Sequence, residues 1–567
     1  MRLSVVKSKN AASLYVIKSF REKGHTTSKI VEKLGTEAEL RERLGGQDPY
    51  AWASAYVQEL NAKEKAEKRD VVTIKSPTKR LEKGQRRLWN GGYLFLQSIY
   101  HALGLHELCK AISKRHAFEY DFDSILSRLI YARILFPGSK RSCLDSAQDF
   151  LEAPKFDLHQ IYRALDVIAK ESDFLESEVY KRSLAVTKRN TGILYYDCTN
   201  FFFEIESESG IKQYGISKEH RPNPIVQMGL FMDGDGIPLA FSLNPGNQNE
   251  QVSLKPIEKR ILSDFNLSRF VVCTDAGLSS AANRRFNTQG ERAYVVTQPI
   301  KKLKGYLKEW ALSPLGWSVP GSKMSYDLSQ LGEDDLKHTF YKARWIKEND
   351  LEERLIVTFS PKHQAYQRQV RSRQIERAVR ALDSHTPLKK RQNDYKRFIT
   401  TSHVTAEGEV ADKACLGIDR VKIAQEECFD GFYAVTTCLE DSPLEIIRIN
   451  QNRWQIEECF RIMKTEFEAR PVYLQRDERI KAHFTTCFFA LLVYRLLEKK
   501  LNYAFTVEQI TDTLSHFLFS KVPGEGYEPQ YMRTDLTDGL HEAFGFETDF
   551  QIITNKEMKK IFRLTKL

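Results

Sequence analysis

The sequence predicts a mixed α/β protein. A sheet with flanking helices is interrupted by a strand-containing insertion and preceded by a mostly helical region. Three observations carry this. Helical apolar periodicity fills residues 92–185, as in SILSRLIYARILF (124–136) and LHQIYRALDVIAK (158–170). From Ile193 the pattern turns to short apolar and β-branched runs bounded by turn residues. That rhythm breaks at 300–430 and returns as FYAVTTC (432–438), followed by an amphipathic helix.

Along the chain, residues 14–34 hold two β-prone runs around Lys23-Gly24 and read as a hairpin; a helix-turn-helix through TTSKIVEKLG is the rival. Residues 36–69 are rich in Glu, Lys, Arg and Ala and read as solvated helix. KSPTKRLEKGQRR (75–87) is either a solvated linker or a phosphate-touching arm. After the helical region come ILYYD, VQMGLFMD (226–233) and PLAFSLN (238–244), a helix over 251–263, RFVVCTD (269–275), a helix, and AYVVTQP (293–299). Three strands, helix, strand, helix, strand is the order of a ribonuclease H-like sheet. The expected domains are 1–90 (hairpin and basic linker), 91–190 (helical), 191–299 and 431–500 (two parts of the core), 300–430 (insertion) and 501–567 (helical).

Composition narrows the class. Hydrophobic residues at 41% and charged residues at 28% over 567 residues supply several cores and exclude a disordered chain. The 86 Lys and Arg against 75 Asp and Glu give a net charge of +11, which permits a polyanionic partner. Nine cysteines stand singly with no CxxC pair, arguing against a zinc ribbon or a disulfide framework and for a reducing cytoplasm. The longest apolar run, FFALLVYRLL (488–497), is too short to span a bilayer and reads as a buried helix, so no membrane partner is expected.

Asp197 interrupts the most apolar strand, ILYYDCTNFFFEI (193–205). A carboxylate there needs compensation, from a salt bridge or a metal ion. Asp275 ends RFVVCTD. Acids on two neighbouring parallel strands can converge, and converging carboxylates call for a cation. Hard divalent ions suit oxygen ligands, and a pair of them can clamp the two oxygens of a phosphodiester displacement. Such a site normally takes a third acid.

The candidate lies in NQNRWQIEECFRIMKTEFEARPVY (450–473). On a wheel of about 100° per residue starting at Arg453, Glu457 falls near ~40° and Lys464 near ~20°. Ile456, Phe460, Met463 and Phe467 form an apolar stripe beside them, while Glu458 falls near ~140°, toward solvent. Intrahelical salt bridges are the plainer explanation of the same pattern.

YYDCTN, CTDAGLSS and this helix together resemble the DDE transposases of the IS-four-like insertion-sequence superfamily. The family's tyrosine, arginine, glutamate, lysine signature falls on Asn450, Arg453, Glu457 and Lys464. Asn450 departs from it and lacks the ring that would stack on a base. The resemblance implies a transposase that binds its element's ends and cuts and joins DNA. Asp197, Asp275 and Glu457 would be catalytic and hold two Mg²⁺ or Mn²⁺ ions, and Arg453 and Lys464 would bind DNA phosphates. It also implies double-stranded DNA, both ends and target, as partner, and a dimer or larger assembly on it. The rivals are a nuclease of the same fold that moves no element and a DNA-binding repressor with an idle site. A carboxylate-pair glycosidase is a poorer fit, since it leaves the cations beside Glu457 unexplained.

Overall fold

In a computed structural model, residues 1–8, 11–22, 25–70, 83–348, 350–383, 394–404 and 410–567 are described. They form two compact units, Met1–Gln85 and Arg86–Leu567. In the first, strands Arg2–Lys7, Ala12–Glu22 and His25–Thr36 make an antiparallel sheet, so TTSKIVEKLG is strand and the hairpin reading holds. Its Thr, Ile and Val content suits a pleated surface. Helices Glu37–Arg43 and Pro49–Asp70 follow, and Leu14, Val16, Leu34, Leu40, Ala53 and Val57 form a small core. Most of the basic stretch 75–87, including Lys79 and Arg80, lies outside the described residues.

The second unit is built on one eight-stranded sheet. Its strands in chain order are β1 (Ile193–Phe202), β2 (Ile225–Asp233), β3 (Pro238–Pro245), β4 (Phe270–Thr274), β5 (Arg292–Thr297), β6 (Phe340–Glu348), β7 (Leu351–Phe359) and β8 (Phe432–Thr437). The spatial order is β6-β7-β8-β5-β4-β1-β2-β3. β4 runs parallel to both β1 and β5, and the remaining pairs are antiparallel. The three parallel strands sit in the middle with both faces covered, which is why they read as nearly continuous apolar runs.

Two expectations need correction. β6 and β7, assigned by sequence to the 300–430 insertion, extend the main sheet: β8 offers a free edge and the hairpin pairs with it. Residues 501–567 are not purely helical. Leu518–Val522, Gly526–Pro529 and Ile553–Thr554 form a small sheet with Leu88–Asn90. Those strands are two to five residues long, too short to show a period of two.

Helices Phe122–Leu135, Leu158–Val186 and Asp477–Lys500 share one core with β1 and β2. The last is apolar on every side and is 94% buried over its most apolar window, as befits a central helix. Alternation along β1 divides its side chains. Leu194, Tyr196 and Cys198 face the core containing helix Leu254–Asp264, while Tyr195 and Phe201 face the core under Asp477–Lys500. Asp197 shares the parity of Tyr195 and Phe201.

Candidate active site

β1 and β4 pair in parallel with Tyr195 opposite Cys273. Continuing that register by two residues sets Asp197, midway along β1, beside Asp275, just past the end of β4, on one face of adjacent strands roughly 4.8 Å apart. Asp275 is the N-cap of the turn Ala276–Leu278, and its Oδ1 accepts from the N–H groups of Gly277 (2.9 Å) and Leu278 (3.2 Å). Asp197 Oδ1 accepts from the N–H of Cys198 at 2.7 Å.

Burial pushes the Asp197 carboxyl up to about 6; Lys218 opposes the shift, Asp275 adds to it, and Cys198 and Arg453 oppose it. Yet among the described residues neither aspartate has an ion-pair partner within 4 Å. The buried Asp233 shows the contrasting solution. It is bonded to Arg189, and both side chains are fully enclosed. Asp197 instead faces cations that stop short of contact. Lys218 spends its ammonium on Glu250 (3.1 Å) and the Cys198 carbonyl.

The helix over this face is broken where the sequence suggested continuity. Helix Pro443–Gln451 ends, a tight turn through Asn452 follows, helix Trp454–Arg461 resumes, and Ile462–Glu466 widens into a π turn. Arg453 N–H bonds to the Asn450 carbonyl and Ile456 N–H to that of Arg453, the i→i−3 pattern of a locally tightened turn. The wheel nevertheless places the apolar stripe correctly: Ile456, Phe460, Met463 and Phe467 are all buried.

Two contacts align this segment with β1. Tyr195 Oη donates to the Ile449 carbonyl at 2.9 Å, and Lys464 Nζ sits 5.5 Å from the centre of the Phe201 ring. Asp197 lies between Tyr195 and Phe201 on the same face, so Arg453 and Glu457 span the stretch above it. Arg453 is 18% exposed and reaches Glu457 Oε1 at 3.7 Å, while Glu457 is 64% exposed. Burial raises the Cys273 thiol to about 12 and Arg453 opposes it, which puts the guanidinium near the β4 end as well. Lys464 is held by Glu219 at 3.3 Å, and burial followed by the charge of Lys218 brings it down to about 8 against the pull of Asp197.

Glu458 does not face solvent as expected. It is 27% exposed and bonded to Arg461 at 2.6 Å, with Arg495 nearby. The reason is tertiary: the hairpin tip at Gly236 and the end of helix Asp477–Lys500 cover that flank. Arg495 Nε donates to the Gly236 carbonyl at 3.0 Å, and a Cβ on Gly236 would fall 2.3 Å from Gln455 Oε1.

Ligand atoms of Asp197, Asp275 and Glu457 do not form a group within 4.8 Å of one another. The group that does, among the described residues, is Asp538, His541 and Asp549 near the C-terminus. There Arg533 already bonds both carboxylates, at 2.7 and 3.1 Å. At Asp197 and Asp275 the donor chemistry fits a hard cation: paired carboxylates in register, one half-buried and without an ion pair, and a third acid on an exposed side chain.

Asn450 is nearly buried. Its Nδ2 donates to Tyr433 Oη at 3.1 Å, and Tyr433 Oη lies 2.6 Å from Thr297 Oγ1. Sequence reasoning missed Tyr433, Lys218 and Glu219. Only the charge of SKEHR marked the last two, and nothing local placed that loop beside Asp197.

Residues 361–493 match the family model of the transposase DDE domain. The match includes Arg453, Glu457 and Lys464 and does not reach the two aspartates. No curated protein matches the chain. A cryo-EM structure of the piggyBac transposase synaptic complex with hairpin DNA is similar at a TM-score of 0.37 and 7% identity, over 83% of this chain and 84% of that one. The likeness to the transposase DDE domain is carried by the segment 361–493.

Proposed function

We propose that this protein is a DNA transposase that binds the ends of its own element and cleaves and rejoins DNA at the Asp197–Asp275 pair. The strand order β5-β4-β1-β2-β3 is read as a ribonuclease H-like core. The observation that carries the reading is the half-buried Asp197, in register with Asp275, without an ion pair, under a helix bearing Arg453 and Glu457.

Asp197, Asp275 and Glu457 are the residues to hold divalent metal. Two Mg²⁺ or Mn²⁺ ions would supply Lewis acidity at the attacking and leaving oxygens. The chain's own cations do the positioning. Arg453 offers a planar donor pair to a phosphate and stands 3.7 Å from Glu457 without hydrogen-bonding it; Lys464 and Lys218 bring point charge to the same face. Glu457 is released toward Asp197 once a phosphate takes Arg453. Double-stranded DNA, as ends and target, is the substrate, and joining two ends needs at least two copies of the chain.

The test uses a supercoiled plasmid carrying the gene with its native flanks, incubated with the full chain and Mg²⁺ or Mn²⁺. Nicks at the element boundaries, lost in Asp197→Asn and in Asp275→Asn, are expected. Cleavage that survives both substitutions, or none by the wild type with either ion, rejects the proposal.

A further inference from the structure

Helix Pro361–Asp383 carries six basic residues besides His363. Its inner face is settled by packing. Ala378 and Ala381 join Phe398 and Ile399 in a small core, and Arg371 is buried on Asp430. On a wheel of about 100° per residue, these three fall within ~80° of one another. On the opposite side Lys362, Tyr366, Gln369, Arg373, Arg377 and Arg380 fall within another arc of ~80°, and all six are exposed. Among the described residues none of Lys362, Arg373, Arg377 and Arg380 forms an ion pair. Glu376 is the one acid on the flank of this row.

Such a row is costly without a partner. Side chains at i, i+3 and i+4 are neighbours, and like charges there destabilise a helix. The basic run LKKRQNDYKR (388–397) reads in the sequence as a DNA contact, but its Arg397 is tied to Glu426 at 3.0 Å and Gln374 at 2.8 Å. Lys389, Lys390 and Arg391 of the same expected contact lie outside the described residues. From Lys362 to Arg380 the row is about 27 Å long, which matches about eight base pairs of duplex. It starts beside the active site: His363 and Asn450 line one cavity of about 310 Å³, with Tyr433 between them.

We propose that the exposed row Lys362, Arg373, Arg377 and Arg380 is a binding surface for the phosphates of duplex DNA, leading along the helix from the Asn450 cavity. This rests on the DNA-acting reading above and adds to it the element that holds the duplex. The four cations act on phosphates, without reading bases, so the contact is indifferent to sequence.

The experiment measures binding of a labelled 30-base-pair duplex of arbitrary sequence to the full-length Asp197→Asn protein at several salt concentrations. Each phosphate contact contributes about 0.9 to the slope of log K against log salt. Replacing Lys362, Arg373, Arg377 and Arg380 together with Gln is expected to make the slope shallower by about 3.6. Arg373→Lys, Arg377→Lys and Arg380→Lys together should keep the slope, because point charge suffices. This second variant also controls for misfolding. An unchanged slope in the Gln variant, with the parent protein still binding, overturns this surface and leaves the proposed function standing. A parent that binds no duplex overturns both. Poly-glutamate that displaces the duplex at equal charge concentration would identify an acidic polypeptide as the occupant and overturn the assignment to DNA.

Discussion

At Glu457 and Glu458, adjacent residues with the same side chain meet opposite surroundings. Glu458 is bonded to Arg461 against a covered flank, while Glu457 is open and held only at 3.7 Å by Arg453. Glu457→Gln should therefore leave DNA binding near wild type and lower metal-dependent nicking by more than ~100-fold, beyond the loss typical of residues that merely support a metal ligand. Glu458→Gln should nick at close to the wild-type rate. A plasmid nicking assay on both variants checks this, and the reverse result would place the third ligand at Glu458. The hydroxyl of Tyr433 joins Asn450 to Thr297 across two strands and a helix. Tyr433→Phe leaves a nearly buried amide one bond short. It should cost about 1–2 kcal/mol in urea unfolding; a loss below the error of the melt would mean that water replaces the bond.

Two elements test how the sheet is braced. The turn between β2 and β3 is held by Asp233, which accepts from the N–H groups of Asp235 and Ile237 (both 3.0 Å) and bonds the enclosed Arg189. Asp233→Asn strands that guanidinium, and a loss of about 3–5 kcal/mol is expected from the urea midpoint. Helix Leu254–Asp264 carries the buried Glu258, which meets Asn287 at 2.9 Å through one oxygen while the other has no partner. Burial raises its carboxyl from 4.5 to about 8, against the opposing effects of Asn287, Arg292 and Lys255. The folded state thus binds more protons than the unfolded one between those values. Stability falls as pH rises through that window, by at most about 1.4 kcal/mol per unit from this group. Thermal melts from pH 5.5 to 7.5 should show a shallower fall for Glu258→Gln than for the wild type; parallel curves would remove Glu258 as the cause.

For the whole molecule, the division into Met1–Gln85 and Arg86–Leu567 gives each unit its own core. Residues 86–567 expressed alone should melt within about 2 °C of the corresponding transition in the full chain, a shift that reflects no more than about 2 kcal/mol at this length. A large drop in the melting temperature would show that the second unit depends on the first. The larger unit also explains why the helical region 91–190 was read as separate: its helices have ordinary amphipathic spacing, and only packing shows that helix Leu158–Val186 and helix Asp477–Lys500 belong to one core.

The sequence by itself determined six of the eight strands of the central sheet, the buried face of the 454–467 segment and the exceptional position of Asp197. These depend on local period and composition, which follow from backbone geometry that repeats every two or 3.6 residues. Tertiary structure alone decided the rest. Pairing of β1 with β4 set Asp197 beside Asp275 across 78 residues, because strand register is fixed by which faces are buried and not by any local signal. Packing of Arg495 and the Gly236 turn closed the flank of Glu458 and left Glu457 open. The free edge of β8 recruited β6 and β7 into the sheet, since an unpaired row of backbone N–H and C=O groups is satisfied by whichever strand folds against it.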